Sequence, residues 1–141
     1  MSFNPYWEEK CWGRVQHLFA SDRAAVSYLE LAEGWRCSIH RHLQRTNFFA
    51  VTEGKIVIEE WGPVKDLNRC GFLRLLGPGD TLQVPSLSWH RFRVLQSGKM
   101  IEIYWPDSGG VVEVTDIIRL EEGGKDDLNE LRNRLVQEGL V

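Results

Sequence analysis

Two histidines separated by a single residue mark the stretch of the chain that is best suited to chemistry. His40 and His42 lie in the segment CSIHRHLQRTNFFAV, which begins at Cys37. Alternate side chains of a β-strand point to the same face, so both imidazoles project together if this segment is extended. Two imidazoles side by side can take adjacent positions on one metal ion. Two histidines that merely project inward would show the same spacing.

A third imidazole can come from the second half of the chain. The segment PGDTLQVPSLSWHRF combines a turn, a strand and a loop with Pro85, and His90 opens the strand that follows. His17, in RVQHLFA, has no partner at a matching spacing. We therefore expect His17 to be a surface or core histidine and not a ligand.

Short extended segments separated by turn residues fill most of the chain. The sequence predicts strands over residues 25–31, 36–42, 47–51, 55–61, 72–76, 81–85, 90–95 and 100–105. Gly and Pro punctuate these segments, which is typical of an antiparallel barrel or sandwich. The sequence therefore predicts an all-β fold that can hold the histidines inside.

The tail of the chain follows a different period. In KDDLNELRNRLVQEGL, Leu128, Leu131 and Leu135 fall on one helical stripe. Asp127 is in position to cap the helix, and Gly139 is a plausible stop. We predict a domain over residues 1–121 and an amphipathic C-terminal α-helix within 122–141, packed on the barrel or on a partner chain.

The first histidine segment resembles the first motif of the cupin family. That motif has a glycine, five residues, His-x-His, three or four residues, a glutamate, six residues and a glycine. Here Gly34 precedes His40 and His42 by the same interval, and Asn47 and Gly54 follow at the motif's spacing.

The second histidine segment resembles the second cupin motif. Gly79, Pro85 and His90 stand in register with it, and Leu87 takes the place of its second glycine. The resemblance covers about residues 25–105. It implies an antiparallel jelly-roll β-barrel, with a divalent metal ion held inside by the three histidines of the two motifs.

Asn47 departs from the cupin pattern, in which a glutamate ligand occupies this position. An amide oxygen can coordinate a metal but brings no negative charge. We expect a centre of His40, His42, Asn47 and His90 to favour metals that prefer imidazole, such as Zn, Fe or Ni, over Mn. In the alternative interpretation, Asn47 stays outside the coordination shell and hydrogen-bonds a metal-bound water or a ligand.

Strand parity also predicts which other residues face the metal. Arg36, Phe49 and Trp105 fall on the histidine face. Arg36 would bind a carboxylate or phosphate there, and the aromatic rings would stack on a sugar. The alternatives are a solvated Arg36 at the barrel mouth and aromatic rings that belong to the core.

The segment HRFRVLQSGKMIEIYW predicts a β-hairpin with Ser97 and Gly98 at its turn. A two-residue turn would pair Arg93 with Glu102 on the outer face. We therefore expect Glu102 to be an exposed ion-pair partner, not a catalytic base, and the sequence names no catalytic residue.

The flanks are similar to the cupin domains of type II mannose-6-phosphate isomerases. EEKCWG resembles their Glu-Lys-Pro-Trp-Gly opening, with Cys11 in place of proline, and residues 115–119 resemble their closing segment. This resemblance implies a metal-dependent sugar-phosphate isomerase. The alternatives are a three-histidine Fe-dependent dioxygenase and a non-catalytic cupin that binds a sugar or another metabolite.

Composition narrows the partners. The 141 residues carry a formal net charge of −3, and the basic residues are scattered, so we expect no nucleic-acid partner. No apolar run is long enough for a membrane span, and no signal peptide is recognisable. We expect a cytoplasmic protein that binds a small molecule such as a sugar phosphate and forms a homodimer.

Overall fold

The computed structural model describes residues 2–64, 66, 68–113 and 115–141 of the chain. Within these residues the elements are β1 (Tyr6–Lys10), β2 (Gly13–Ala20), β3 (Ala25–Leu31), β4 (Trp35–Arg36), β5 (Ile39–Arg41), β6 (Arg45–Gly62), β7 (Phe72–Leu76), β8 (Thr81–Val84), β9 (Trp89–Pro106), β10 (Ile118–Glu121), β11 (Gly124–Lys125) and α1 (Leu128–Gln137). The predicted all-β class with a C-terminal helix is confirmed.

All of the recorded strand pairs are antiparallel and belong to one curled sheet. The strands β1, β2, β3 and β9 are hydrogen-bonded in that order, and β9 also pairs with β4, β5 and β6. The strand β6 carries β7 and β8 on its other edge. Because β9 pairs with four other strands, its alternation decides which side chains enter the interior.

The predicted hairpin over residues 90–105 is wrong, since β9 runs through that segment as one strand of 18 residues. It pairs along its length with β6, also 18 residues long, and the register shifts near Glu53 and Lys99. Gly54 has a φ of +79°, and a Cβ there would lie 2.7 Å from the carbonyl oxygen of Gln96. The glycines thus mark a shared bend where the two strands approach closely, which sequence patterns do not distinguish from a turn.

The two faces of the sheet bury different clusters. The interior cluster is formed by side chains such as Phe49, Phe92, Val94 and Met100. Phe92, Val94 and Met100 are even-numbered residues of β9, so the inward parity persists across the bend. His90, Glu102 and Tyr104 share this parity.

The helix α1 covers part of the outer face. Asp127 caps it, because its Oδ1 accepts a hydrogen bond from the backbone N–H of Glu130 at 3.1 Å. Leu131 and Leu135 are buried against Val57, Leu73 and Leu95 of the sheet. The helix therefore packs on the sheet, while the division into domains at residue 121 stays a prediction.

The N-terminal hairpin of β1 and β2 was not expected from the sequence. Tyr6–Lys10 pairs with Gly13–His17, and β2 then pairs with β3. Every residue of β1 is exposed to solvent. Its sequence therefore lacks the alternation of buried and exposed residues that identifies a strand. The predicted strand 36–42 is interrupted at Cys37 and Ser38, where the chain passes from β4 to β5.

Candidate metal centre and its cavity

The three predicted histidines come together inside the sheet. His40 on β5 and His90 on β9 are cross-strand partners, and His42 follows directly after β5. One ring nitrogen of each lies within 4.8 Å of the others, and the ring centroids are 4.5 to 5.5 Å apart. His42 and His90 are buried.

Backbone carbonyls fix the tautomer of all three imidazoles. Nδ1–H of His40 donates to the carbonyl oxygen of Ser38 at 2.8 Å, and that of His90 donates to Ser88 at 2.8 Å. Nδ1–H of His42 donates to the carbonyl oxygen of Asp116 at 2.6 Å. Each Nε2 therefore keeps its lone pair, as a metal ligand requires.

The environment also keeps these imidazoles uncharged. Burial lowers the pKa of His42 to about 3 and that of His90 to about 4, and burial lowers the pKa of His40 well below its usual value. The neighbouring imidazoles and Arg45 act in the same direction. A metal ion would thus meet three neutral ligands at neutral pH and would displace no proton.

Asn47 lies beside the three histidines but presents its amide nitrogen to them. Its Nδ2 is 3.3 Å from Nε2 of His42 and donates to Oε2 of Glu102 at 3.0 Å. Asn47 is almost fully buried, and its Oδ1 has no hydrogen-bond partner. In this arrangement Asn47 orients Glu102 and is a neighbour of the metal ligands; both interpretations of its role toward a metal stay predictions.

Glu102 corrects the prediction of an exposed partner for Arg93. Its side chain lines the same cavity as His40 and His42, because β9 does not reverse at Ser97 and Gly98. Burial raises the pKa of Glu102, and nearby Arg45 opposes that change. The centre thus has a carboxyl group nearby, supplied by a different strand from the one that carries the cupin glutamate.

A cavity of about 490 Å³ opens in front of the histidines, which is in the range of small-molecule sites. Besides Glu102, two arginines line it, Arg45 and Arg119. Arg119 is the cross-strand partner of His40 in β10. The guanidinium of Arg45 lies 3.9 Å from the ring centroid of Tyr104.

Arg36 is not among the described residues that line this cavity, so the prediction that it binds an anion beside the metal is wrong. Its guanidinium pairs with Glu121 at 3.2 Å and with Asp126 at 3.4 Å on the other face of the sheet. The interruption between β4 and β5 changes the alternation between Arg36 and His40. Parity cannot be carried across such a break.

The two predicted aromatic contacts also differ from the structure. Phe49 is buried in the interior cluster, with its ring centroid 6.5 Å from that of His90, and belongs to the core. Trp105 has the opposite parity to Tyr104, and Tyr104 lines the cavity. Sequence analysis missed Tyr104 and Glu102 because it placed a turn within β9.

The donor set satisfies the requirements of a transition-metal site. The three Nε2 atoms converge, their outer nitrogens are held by backbone oxygens, and Nε2 of His90 is buried without a partner. A buried polar atom without a partner costs free energy, unless a water or an ion satisfies it. His40, His42 and His90 therefore fit a divalent metal ion.

Comparison with known proteins gives structural likeness only. No family model matches the chain, and no curated protein matches its sequence. An RmlC-like cupin from Shewanella frigidimarina NCIMB 400 is similar, with a TM-score of 0.61 and 18% identity over 74% of this chain and 86% of that one. KdgF from Halomonas sp. has a TM-score of 0.60 and 17% identity over 72% and 87% of the two chains.

A third similar structure belongs to a longer protein. Bacillus subtilis oxalate decarboxylase, described by its Mn(II) centres, gives a TM-score of 0.66 and 17% identity. The match covers 85% of this chain but only 32% of the decarboxylase, so the chain spans about a third of that protein.

One further observation concerns membranes. Among the described residues no helix has the length and apolar character needed to cross a bilayer.

The likenesses, together with the curled antiparallel sheet and the three-histidine cluster within it, show that this chain has the cupin fold.

Proposed function

We propose that the protein is a metal-dependent enzyme that isomerises a small anionic sugar derivative, in the manner of a sugar-phosphate isomerase. The observation that carries the proposal is the cavity lined by His40 and His42 of the three-histidine cluster, by Glu102 and by two arginines. A divalent ion bound by the histidines would polarise the carbonyl and hydroxyl oxygens of such a substrate.

Glu102 is the proposed general base. It lines the cavity next to the histidines, and the hydrogen bond from Nδ2 of Asn47 holds one of its oxygens. In an aldose–ketose isomerisation it would take the proton from the carbon next to the carbonyl and return it to the neighbouring carbon. A carboxyl group in a partly desolvated site is suited to this work.

Arg45 and Arg119 are the proposed anion ligands, in place of Arg36. Both line the cavity, and Nε of Arg45 is buried without a hydrogen-bond partner. Nη1 of Arg45 donates to the backbone oxygen of Glu113 at 3.2 Å, which directs the guanidinium. A phosphate or carboxylate would satisfy guanidinium groups through charge-assisted hydrogen bonds.

The experiment begins with the metal content of the native protein. The metal-loaded protein is then incubated in D₂O with aldose 6-phosphates, and the loss of the C2 proton is followed by NMR. We expect exchange in the wild type and a loss of about a hundredfold or more in Glu102→Gln. The matched control is Glu122→Gln, which alters another cavity-lining carboxyl group and should stay within a few-fold of wild type.

Other results would assign the cavity differently. Full activity of Glu102→Gln would contradict its role as base. Oxygen uptake by the iron-loaded protein would favour the dioxygenase, and a metal-free native protein that binds sugars without proton exchange would favour the binding protein.

A further inference from the structure

A second acid–base group lies on the cavity wall, formed by the first two strands. His17 on β2 and Glu8 on β1 both line the cavity. Nε2–H of His17 donates to Oε1 of Glu8 at 2.9 Å. Tyr6 stacks on the imidazole with centroids 4.6 Å apart and planes 29° apart, which fixes the ring orientation. His17 thus has an ionisable partner and a defined pose, unlike an ordinary surface histidine.

The second ring nitrogen of His17, Nδ1, carries a lone pair, because Nε2–H donates the hydrogen bond to Glu8. Nδ1 accepts a long hydrogen bond, at 3.5 Å, from Oγ of Ser27, another residue that lines the cavity. The hydrogen bond from His17 lowers the pKa of Glu8, with Lys10 acting in the same direction. An ionised carboxylate behind an imidazole is the arrangement that orients a general base and stabilises its protonated form.

The pair is separate from the metal ligands but faces the same space. The charged groups around His17 are Glu8 and Lys10 on β1 and Glu102 on β9. Ser27 of β3 is the cross-strand partner of both His17 and Glu102. The wall therefore holds two proton-transfer groups, one beside the metal centre and one nearer the edge strand.

We propose that His17, backed by Glu8, transfers the oxygen-bound proton that opens the ring of a cyclic sugar phosphate in this cavity. The inference rests on the proposed function, because it assigns that function its sugar in the ring form. Nδ1 of His17 takes the proton from the anomeric hydroxyl. The bond between the anomeric carbon and the ring oxygen breaks as the carbonyl forms, and the ring oxygen receives the proton from the imidazolium. No oxidant or external acid is consumed.

Two chemical tasks explain why one cavity holds two such groups. An isomerase that starts from a cyclic sugar must first move a proton between two oxygens and then between two carbons. Glu102 is placed beside the metal centre, where a carbonyl would be polarised. His17 lies with the exposed strand β1, where the sugar ring would enter. Each group then acts on a different bond.

The test uses the metal-loaded protein and D-mannose 6-phosphate as the probe. Exchange between the α and β anomers is measured by NMR magnetisation transfer, separately from loss of the C2 proton. We expect His17→Gln to lower the protein-dependent anomer exchange by about a hundredfold or more and Glu8→Gln by about tenfold. Glu9→Gln is the matched control, because Glu9 is exposed and its side chain points to the opposite face of β1 from that of Glu8. This variant should leave the anomer exchange unchanged.

A readout without substrate tests the pair itself. The ring ¹⁵N chemical shifts of His17 report which nitrogen carries the proton, and Glu8→Ala should reduce the fraction of the Nε2–H tautomer, because the acceptor of that hydrogen bond is removed. An unchanged tautomer fraction in Glu8→Ala would mean that the two side chains do not act together, which would overturn the inference.

The two proposals can fail separately. Anomer exchange that depends on His17, without loss of the C2 proton, would overturn the isomerase and leave ring opening in place. Loss of the C2 proton with anomer exchange no faster than without protein would overturn the role of His17. Equal anomer exchange in His17→Gln and the wild type would also overturn it.

Discussion

Both faces of β9 carry buried ionisable side chains, but the two faces differ in how completely those side chains are paired. The inner face carries Glu102 into the cavity and His90 into the histidine cluster. The outer face carries Arg91, which pairs with Glu59, and Arg93, which pairs with Glu130 of α1. On the inner face, Nε2 of His90 is buried without a partner. On the outer face, both guanidinium groups are paired with carboxylates at 2.7 to 2.8 Å.

The outer face carries a network of charged hydrogen bonds around Arg93 and Glu59. Arg93 donates from Nε and Nη2 to both oxygens of Asp126, and from Nη2 to Glu130 at 2.7 Å. Glu59 accepts from Nε of Arg91 and from Nη1 of Arg134 on the helix. Burial tends to raise the pKa of Glu59, but the hydrogen bond from Arg134 and the charge of Arg91 outweigh it, and the pKa is lowered. The network joins α1 to the sheet.

The difference teaches where to look for chemistry in this molecule. Buried polar groups with complete partners hold a structure in one arrangement, whereas buried groups that lack a partner are set up to receive one. We therefore expect changes on the outer face to act mainly on stability and changes on the inner face to act mainly on binding. A variant on one face that changed the property assigned to the other face would contradict this division.

The largest expected effect is on metal affinity. His90→Gln removes one of three ligands, so we expect affinity for Zn²⁺ to fall by about a thousandfold, or roughly 4 kcal/mol. Competition with a chromophoric chelator measures it. His17→Gln, which changes the one histidine outside the cluster, should keep the wild-type affinity. An equal loss in both variants would mean that the metal binds elsewhere.

The next effect is on stability. Arg93→Leu leaves the buried carboxylate of Asp126 with only the 3.4 Å contact to Arg36 as a charged partner, so the free energy of unfolding should fall by about 3 kcal/mol. Denaturant unfolding measures it, and the zinc affinity of the folded fraction should stay within a few-fold. Arg14→Leu, which removes the exposed pair with Glu30, should cost less than about 1 kcal/mol. If Arg93→Leu were as mild, the outer network would contribute little to stability.

The two faces should lose their contributions to stability at different pH values. The unfolded chain protonates His42 and His90 near pH 6.5, but their pKa values in the folded protein are about 3 and about 4. Below pH 6.5 the unfolded state binds more protons than the folded state. The free energy of unfolding of the metal-free protein therefore decreases as the pH is lowered, by about 2 kcal/mol per histidine at pH 5. Glu59 and Asp126 have lowered pKa values, so their contribution is kept until the pH falls below about 4.5.

Unfolding curves of the metal-free protein between pH 7 and 5 measure this dependence. His42→Gln should flatten the slope, because one histidine fewer takes up a proton on unfolding. A slope that is the same in His42→Gln and the wild type would show that the cluster histidines do not remain neutral in the folded protein.

Much of the site could be predicted because its rules are local. His40 and His42 share a strand face, and the intervals from Gly34 to Gly54 and from Gly79 to His90 match motifs. The helix cap at Asp127 was likewise visible in a short window. Each of these signals depends on residues that are close along the chain.

The rest depended on how distant strands meet. A glycine at a bend shared by two strands looks the same in sequence as a glycine in a turn, so the parity of Glu102 was inverted. Arg119 reaches the cavity because β10 pairs with β5, His17 because β2 pairs with β3, and Glu8 because β1 folds back on β2. These pairings join segments whose sequences carry no sign of each other.

The smallest expected effect concerns Leu87, which stands where the cupin motif has a glycine. The structure gives it a φ of +69°, and its backbone N–H donates to the carbonyl oxygen of His42 at 2.7 Å. The left-handed conformation costs a non-glycine residue about 1–2 kcal/mol. A glycine avoids this cost, but it loses more conformational entropy on folding, which offsets part of the gain in stability. Leu87→Gly should therefore raise the free energy of unfolding by up to about 1 kcal/mol, measured by denaturant titration. Leu87→Ala is the matched control, because it removes the partly exposed side chain and keeps the strain, so it should not stabilise. Lower stability in Leu87→Gly than in Leu87→Ala would mean that the loop gains nothing from relief of strain. Zinc affinity should be the same in all three proteins, because the hydrogen bond to His42 uses only backbone atoms.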